Sequence, residues 1–327
     1  MNVVCSLCPH ELEMAHRWFD WVAELGGTQG HHLFLIPTSE ITPEEASKIH
    51  VKAIKAFGHV TGIKDYEGET SDWQQSQPAR SAAGPNSSFR QVAWHFFQFK
   101  LGPWFWCEFD CIPTQRDWLD RLETQYRIVV NNGKPFMGAR VLIDRVPEHM
   151  SGNAVYPQDV PAIAPSIVMR AEWTPKGTGR SFELAFDIAG AKEVIPQAFF
   201  TDLIQHKFRY DGFKSRQEFD AVLDPNAVVF HSDKKGTIYR YLRENLGGSG
   251  TVSGHVASGE PTNGSITAPE DRDVGESPHE TAVSRSEKTP TRDELLKATV
   301  ATLKKFCTSP EYTSKVRKEL KRQKVIR

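Results

Sequence analysis

Hydrophobic positions in the first 130 residues fall into two alternating rhythms. Short apolar runs stand at Asn2–Ser6 (NVVCS), His32–Ile36 (HLFLI), His59–Ile63 and Trp104–Cys107 (WFWC). Between them the apolar residues recur at helical spacing. Leu12, Ala15, Trp18, Phe19, Val22 and Leu25 share one face until Gly26-Gly27 stops the run. Thr42-Pro-Glu-Glu45 reads as a capping box with proline at the first helical position, opening a helix that lasts to Gly58. Trp73–Pro85 is polar and reads as a loop. Asn86 or Ser87 is then placed to cap a third helix, with Phe89, Val92, Ala93, Phe96 and Phe97 on one side. Gly102-Pro103 breaks that helix.

The order strand–helix–strand–helix–strand–helix–strand predicts an α/β fold, a mostly parallel sheet with helices flanking both faces. In such sheets ligands sit beyond the carboxyl ends of the strands. The fourth apolar run meets that condition unusually. In Phe105–Pro113 (FWCEFDCIP) it passes straight into two acids, Glu108 and Asp110. Acids are costly inside a buried strand unless paired or bound to a cation. The strand is therefore read as ending there, with both acids in the ligand crevice. Thr114 is read as the cap of the next helix, which carries Trp118, Leu119 and Leu122.

Beyond residue 130 the pattern loosens. Phe136–Ile143 and Asn153–Tyr156 read as strands, Ser181–Phe186 alternates before Asp187, and Ala227–Phe230 is an apolar run ending on His231. From Asn245 to Arg292 the chain is rich in Gly, Ser, Thr, Pro and Glu and is expected to be a disordered linker. Residues 293–327 return to helical spacing through Leu295, Leu296, Val300, Leu303 and Phe306, then end on the basic run Lys315–Arg327 (KVRKELKRQKVIR). The expected division is a catalytic domain over 1–244, a linker over 245–292 and a basic helical tail over 293–327.

Composition narrows this picture. The formal net charge of -1 over 327 residues hides the basic tail. That tail is either a solvated face or a tethered arm for a phosphate backbone. No apolar run reaches the roughly 18 residues a membrane span needs. MNVVCSLCPHELE lacks the basic and apolar regions of a signal peptide. Five cysteines, an odd number, fit a reducing cytoplasm better than a disulfide framework. Cys5-x-x-Cys8 with Cys107-x3-Cys111 has the count for a four-thiolate zinc site, but cysteines in apolar strands are also common core residues. The chain lacks G-x-x-x-x-G-K-[ST], G-x-G-x-x-G and G-x-S-x-G, which argues against a P-loop NTPase, a dinucleotide oxidoreductase and an α/β-hydrolase.

The candidate chemistry follows from position. Two carboxylates one residue apart at a strand end can hold a hard divalent cation against a diphosphate. The plainer alternative is a turn with two solvated acids. His231, in VVFHSDKKG, can add an imidazole, and Lys234 and Lys235 can face phosphate; the alternative is a hydrogen-bonded edge histidine. An O,O,N ligand set suits Mn²⁺ as well as Mg²⁺. Asp187 is a candidate general base or, alternatively, a helix cap. Ser151 and Asn153 in HMSGNAVY can hydrogen-bond a sugar or simply belong to a glycine turn.

Taken together, the opening VVCSLCPHELEMAHRWFDWVAELGG, the strand-end WFWCEFDCIPTQRDWLDRLETQY, MSGNAVYP and VVFHSDKKGTIYRYL resemble GT-A-type glycosyltransferases over residues 2–243. The resemblance implies a GT-A-like, Rossmann-type sheet and a nucleotide-sugar donor. It also implies a metal held by Glu108 and Asp110 and completed by His231. Here the motif reads Glu-Phe-Asp instead of Asp-x-Asp, which makes Asp110 the firmer ligand. The pattern further resembles bacteriophage enzymes that glycosylate hydroxymethylated pyrimidines in DNA. That implies a DNA acceptor with a flipped base and a location in the host cytoplasm. Two alternatives remain at this stage: a glycan or protein acceptor, and a non-catalytic DNA-binding protein.

Overall fold

Val3, Cys5 and Leu7 face one side of the sheet and Val4 the other, yet all four are buried. A strand covered on both faces needs apolar residues at every position, which is why NVVCSL has no polar alternation. A computed structural model describes residues 1–37, 41–63, 83–143, 146–174, 182–207 and 213–246. The expected linker from residue 247 on, the basic tail, and most of the 73–85 loop lie outside the described residues; Asn245 and Leu246 belong to the last described helix. All described residues belong to the unit Met1–His255.

The strands are β1 (Asn2–Leu7), β2 (His32–Pro37), β3 (His59–Gly62), β4 (Trp104–Trp106), β5 (Cys111–Pro113), β6 (Phe136–Val141), β7 (His149–Tyr156), β8 (Glu172–Trp173), β9 (Phe182–Glu183), β10 (Ala198–Phe200), β11 (Ile204–His206) and β12 (Val229–His231). The longer helices are α1 (Leu12–Glu24), α2 (Pro43–Phe57), α3 (Ala83–Phe99) and α4 (Trp118–Asn131). Short helices follow: α5 (Val160–Ile163), α6 (Phe186–Ala189), α7 (Ala191–Val194), α8 (Arg216–Val222) and α9 (Thr237–Leu246).

Seven strands form the central sheet in the order β10-β6-β7-β4-β1-β2-β3. β1 pairs parallel with β2 and β4, β2 with β3, and β6 with β10. β7 runs antiparallel between β4 and β6. The fold is thus mixed α/β with a mostly parallel sheet, as the alternation predicts, except for the inserted β7. One face carries Trp18, Phe19, Phe57, Phe105 and Trp118, contributed by α1, α2, β4 and α4. The other carries Phe89, Phe96, Trp104, Trp106 and Tyr156, contributed by α3, β4 and β7.

The capping box of α2 is present. The Thr42 hydroxyl accepts from the Glu45 N–H, the Glu45 carboxylate accepts from the Thr42 N–H, and Gly58 ends the helix at φ 71°. Three local expectations are corrected. α3 begins at Ala83, so Asn86 and Ser87 lie inside it and do not cap it. Asn86 instead ties α3 to α6: its amide donates to Leu184 O and Glu183, and its oxygen accepts the Phe186 N–H. Thr114 does not cap α4, which starts after Asp117. Its hydroxyl donates to Ala227 O at 2.7 Å, a long-range bond that a local reading cannot anticipate. Finally, Cys111–Pro113 is not a turn leading to a helix. It is β5, which pairs antiparallel with β12 in a small second sheet, β11-β12-β5.

Candidate metal and donor site

Glu108 to Cys111 forms one tight turn between β4 and β5. The Cys111 N–H donates to Glu108 O at 2.9 Å. Phe109, at the centre of the turn, is fully buried against the rings of Trp18 and Phe19. With the middle side chain anchored in the core, the acids on either side emerge together. This is the physical reason for the spacing Glu-Phe-Asp. The turn is held on its far side as well. Trp18 donates its indole N–H to Cys111 O, and Trp21, one turn further along α1, donates to Pro113 O.

β12 brings His231 to the same place. In the β5–β12 ladder His231 lies opposite Cys111, and the Asp233 N–H donates to Asp110 O at 2.8 Å. Asp233 in turn accepts from the Ile238 and Tyr239 N–H groups and so caps α9. The result is a convergence of charge. His231 Nε2 stands 3.3 Å from Asp110 Oδ1 and 3.6 Å from Glu108 Oε2. Asp110, Cys111 and His231 offer donor atoms within 4.8 Å of one another.

Both Glu108 and His231 are perturbed by this packing. Burial pushes the Glu108 carboxyl up, but hydrogen bonding and charge from His231, the Asn153 amide and Lys234 outweigh it and hold the pKa at about 2. Burial pulls the His231 imidazole down. The sulfur of Cys111, then Asp110 and Glu108, overcome this and raise it well above the ordinary value. Asp110 is 3% exposed, and its buried Oδ1 has the His231 imidazole as its ion-pair partner at 3.3 Å. A buried carboxylate needs a counter-charge beside it. A cation between Asp110, Glu108 and His231 would satisfy it, so the residues present fit a divalent ion with oxygen and nitrogen ligands.

Asn153, Ser151, Lys234 and Asp187 are tied to this centre by contact or charge. Asn153 accepts the Glu108 N–H and donates to the Glu108 carboxylate, so both ends of its amide are spent on Glu108. Ser151 is buried, with its hydroxyl 3.2 Å from His206 Nδ1. Lys234 and Lys235 are exposed, and the charge of Lys234 reaches Glu108. Asp187 lies in the first turn of α6, its Oδ1 accepting from the Ile188 N–H and its Oδ2 3.9 Å from His149 Nε2. Burial raises the Asp187 carboxyl, His149 opposes this, and the negative charge of Glu108 adds to it. Asp187 and Glu108 therefore share one electrostatic field.

Several neighbours escape a reading of the sequence. His206 sits 2.7 Å from His231, Nδ1 to Nδ1, and burial together with the His231 charge depresses it to about 4. Glu11, in the turn after β1, is pushed up to about 7 by burial and by the charges of Glu108 and Asp110. Cys111 was visible next to Asp110, but its place opposite His231 depends on the β5–β12 pairing. The four-thiolate zinc arrangement is not formed. The sulfur of Cys107 meets Cys5 and Cys111 in the core, while Cys8 faces His10 and Glu11.

No protein-family profile matches the chain, and no curated protein matches it. Among solved structures it is similar to the galactosyltransferase LgtC in complex with donor and acceptor sugar analogues. The identity is 9%, with 77% of this chain and 97% of that chain covered, at a TM-score of 0.43. It is also similar to mouse xyloside xylosyltransferase 1, at 10% identity, 72% and 99% coverage and a TM-score of 0.42. A third likeness is to the glycosyltransferase GlyE of Streptococcus pneumoniae, at 12% identity, 75% and 58% coverage and a TM-score of 0.41. Among the described residues no helix is long and apolar enough to cross a membrane.

Proposed function

We propose that this chain is a metal-dependent glycosyltransferase that moves a sugar from a nucleotide sugar, a UDP-sugar, to a hydroxyl acceptor. The observation that carries the reading is the convergence of the buried Asp110 carboxylate, Glu108 and His231 just beyond the carboxyl end of β4. In an open α/β sheet, that end is where ligands bind.

Glu108, Asp110 and His231 would hold Mn²⁺ or Mg²⁺. Such an ion supplies charge neutralisation for a diphosphate leaving group. The chain's own part is positional. Phe109 and Asn153 fix the two carboxylates, and His206 holds the His231 ring through its Nδ1, leaving Nε2 toward the acids. Lys234 adds positive charge on the same side. His149 is held by Pro147 O at its Nδ1, with its Nε2 3.9 Å from Asp187 Oδ2. A carboxyl raised by burial is a better proton acceptor near neutral pH, which suits Asp187 to take the proton of an acceptor hydroxyl.

For the acceptor, the basic run Lys315–Arg327 favours DNA, specifically a 5-hydroxymethylpyrimidine. The test is a transfer assay read by nucleoside mass spectrometry, with Mn²⁺, a panel of UDP-sugars, and DNA carrying 5-hydroxymethylcytosine, 5-hydroxymethyluracil or plain bases. A hexose-sized gain on a hydroxymethylated base supports the full reading. Hydrolysis of one UDP-sugar without transfer keeps the donor chemistry and removes DNA as acceptor. Neither transfer nor hydrolysis overturns the proposal.

A further inference from the structure

A second knot of donor atoms lies in the turn that follows β1. Cys8 is buried, and its Sγ is 2.8 Å from Glu11 Oε2 and 3.3 Å from both ring nitrogens of His10. The three residues occupy a single turn, closed by the Glu11 N–H donating to Cys8 O at 3.0 Å, with Pro9 between Cys8 and His10. One sulfur, one imidazole nitrogen and one carboxylate oxygen all come within 4.8 Å of one another. We propose that Cys8, His10 and Glu11 form a zinc(II) site whose ligands are distinct from Glu108, Asp110 and His231; the proposal does not rest on the glycosyltransferase reading.

The donor set is the first argument. Sulfur, imidazole and carboxylate together are ligands that zinc accepts and that magnesium, calcium and manganese do not prefer. Spacing is the second. Tetrahedral zinc with bonds of about 2.0–2.3 Å separates its ligand atoms by about 3.3–3.7 Å; the sulfur-to-imidazole distance of 3.3 Å already matches, and the 2.8 Å sulfur-to-carboxylate distance opens by less than about 1 Å. A rotation of the His10 ring turns one of its nitrogens to the ion. Charge is the third. Zinc would take the place of the Cys8 proton, and the dication with one thiolate and one carboxylate is neutral. Without an ion, Cys8 is a thiol whose S–H donates to the Glu11 carboxylate, and the ion replaces that proton. The remaining coordination position is left for water. The other buried thiols do not compete for this place, because Cys107 is engaged with Cys5 and Cys111.

The test uses Co²⁺ as a spectroscopic substitute on the full chain. Wild type is expected to take up Co²⁺ with a near-ultraviolet thiolate-to-cobalt band. That band should survive Asp110→Asn and Cys111→Ser and vanish in Cys8→Ser. His10→Ala alters an exposed side chain and should keep the far-ultraviolet circular dichroism of wild type, while weakening Co²⁺ binding at least ~10-fold. No band in wild type, a band that persists in Cys8→Ser, or unchanged Co²⁺ affinity in His10→Ala would each overturn the proposal.

Discussion

Asn153 clasps Glu108 from two directions. Its side-chain oxygen accepts the Glu108 N–H at 2.9 Å, and its side-chain nitrogen donates to the Glu108 Oε2 at 3.2 Å. Asn153 lies on β7, the antiparallel strand beside β4, so the sheet itself holds the first acid of the Glu-Phe-Asp turn in place. Groups that orient metal ligands typically alter metal affinity 10- to 100-fold when removed. Asn153→Ala is therefore expected to weaken Mn²⁺ binding by roughly 10- to 100-fold. Isothermal titration with Mn²⁺ checks this, and an unchanged affinity would show that Glu108 needs no such clasp.

Phe109 is expected to couple stability to the site. It is fully buried against Trp18 and Phe19. Phe109→Ala should cost about 3–5 kcal/mol in stability, because the ring leaves a cavity in a packed core. Urea denaturation measures the loss. A cost under about 1 kcal/mol would mean that the turn does not depend on its buried centre.

Trp18 makes a more selective probe. Its indole N–H serves Cys111 O, at the junction of the turn and β5. Trp18→Phe keeps a large ring and removes the donor, leaving a buried carbonyl unpaired. The expected cost is about 1–3 kcal/mol, read from a shift of the urea midpoint with unchanged slope.

Asp187 separates chemistry from metal binding. With Asp187 taking the proton of the acceptor hydroxyl, Asp187→Asn lowers turnover by about 10²–10⁴-fold and leaves Mn²⁺ affinity as in wild type. Turnover at the wild-type rate would remove Asp187 from proton transfer and leave it as a residue of the α6 turn.

The parts of this architecture written in local pattern are legible in the sequence. NVVCSL and HLFLI read as strands because both faces of the sheet are covered, and Thr42–Glu45 reads as a cap because both halves of the capping box lie within four residues. The same logic places Glu108 and Asp110 at a strand end. What stays hidden depends on pairing between distant segments. β5 is three residues long and exists through its ladder with β12, more than a hundred residues away. That ladder sets His231 opposite Cys111 and carries His206 alongside. Asn153 reads as a sugar-binding amide in isolation, yet the β4–β7 pairing sets it against Glu108. Thr114 and Asn86 look like helix caps by type, and their side chains are drawn instead to Ala227 and to Phe186 across the fold.

Metal- and donor-dependent turnover compared between wild type and Asp110→Asn tests the central claim most directly. Each protein is incubated with Mn²⁺ and a panel of UDP-sugars, with and without chelator, and released UDP is measured beside circular dichroism spectra that report folding. The account predicts Mn²⁺-dependent release from at least one UDP-sugar by wild type. It further predicts loss with chelator and a fall of ~100-fold or more in a folded Asp110→Asn variant, corresponding to about 3 kcal/mol of lost stabilisation. Wild-type release by Asp110→Asn, or no release from any UDP-sugar by folded wild type, would contradict it.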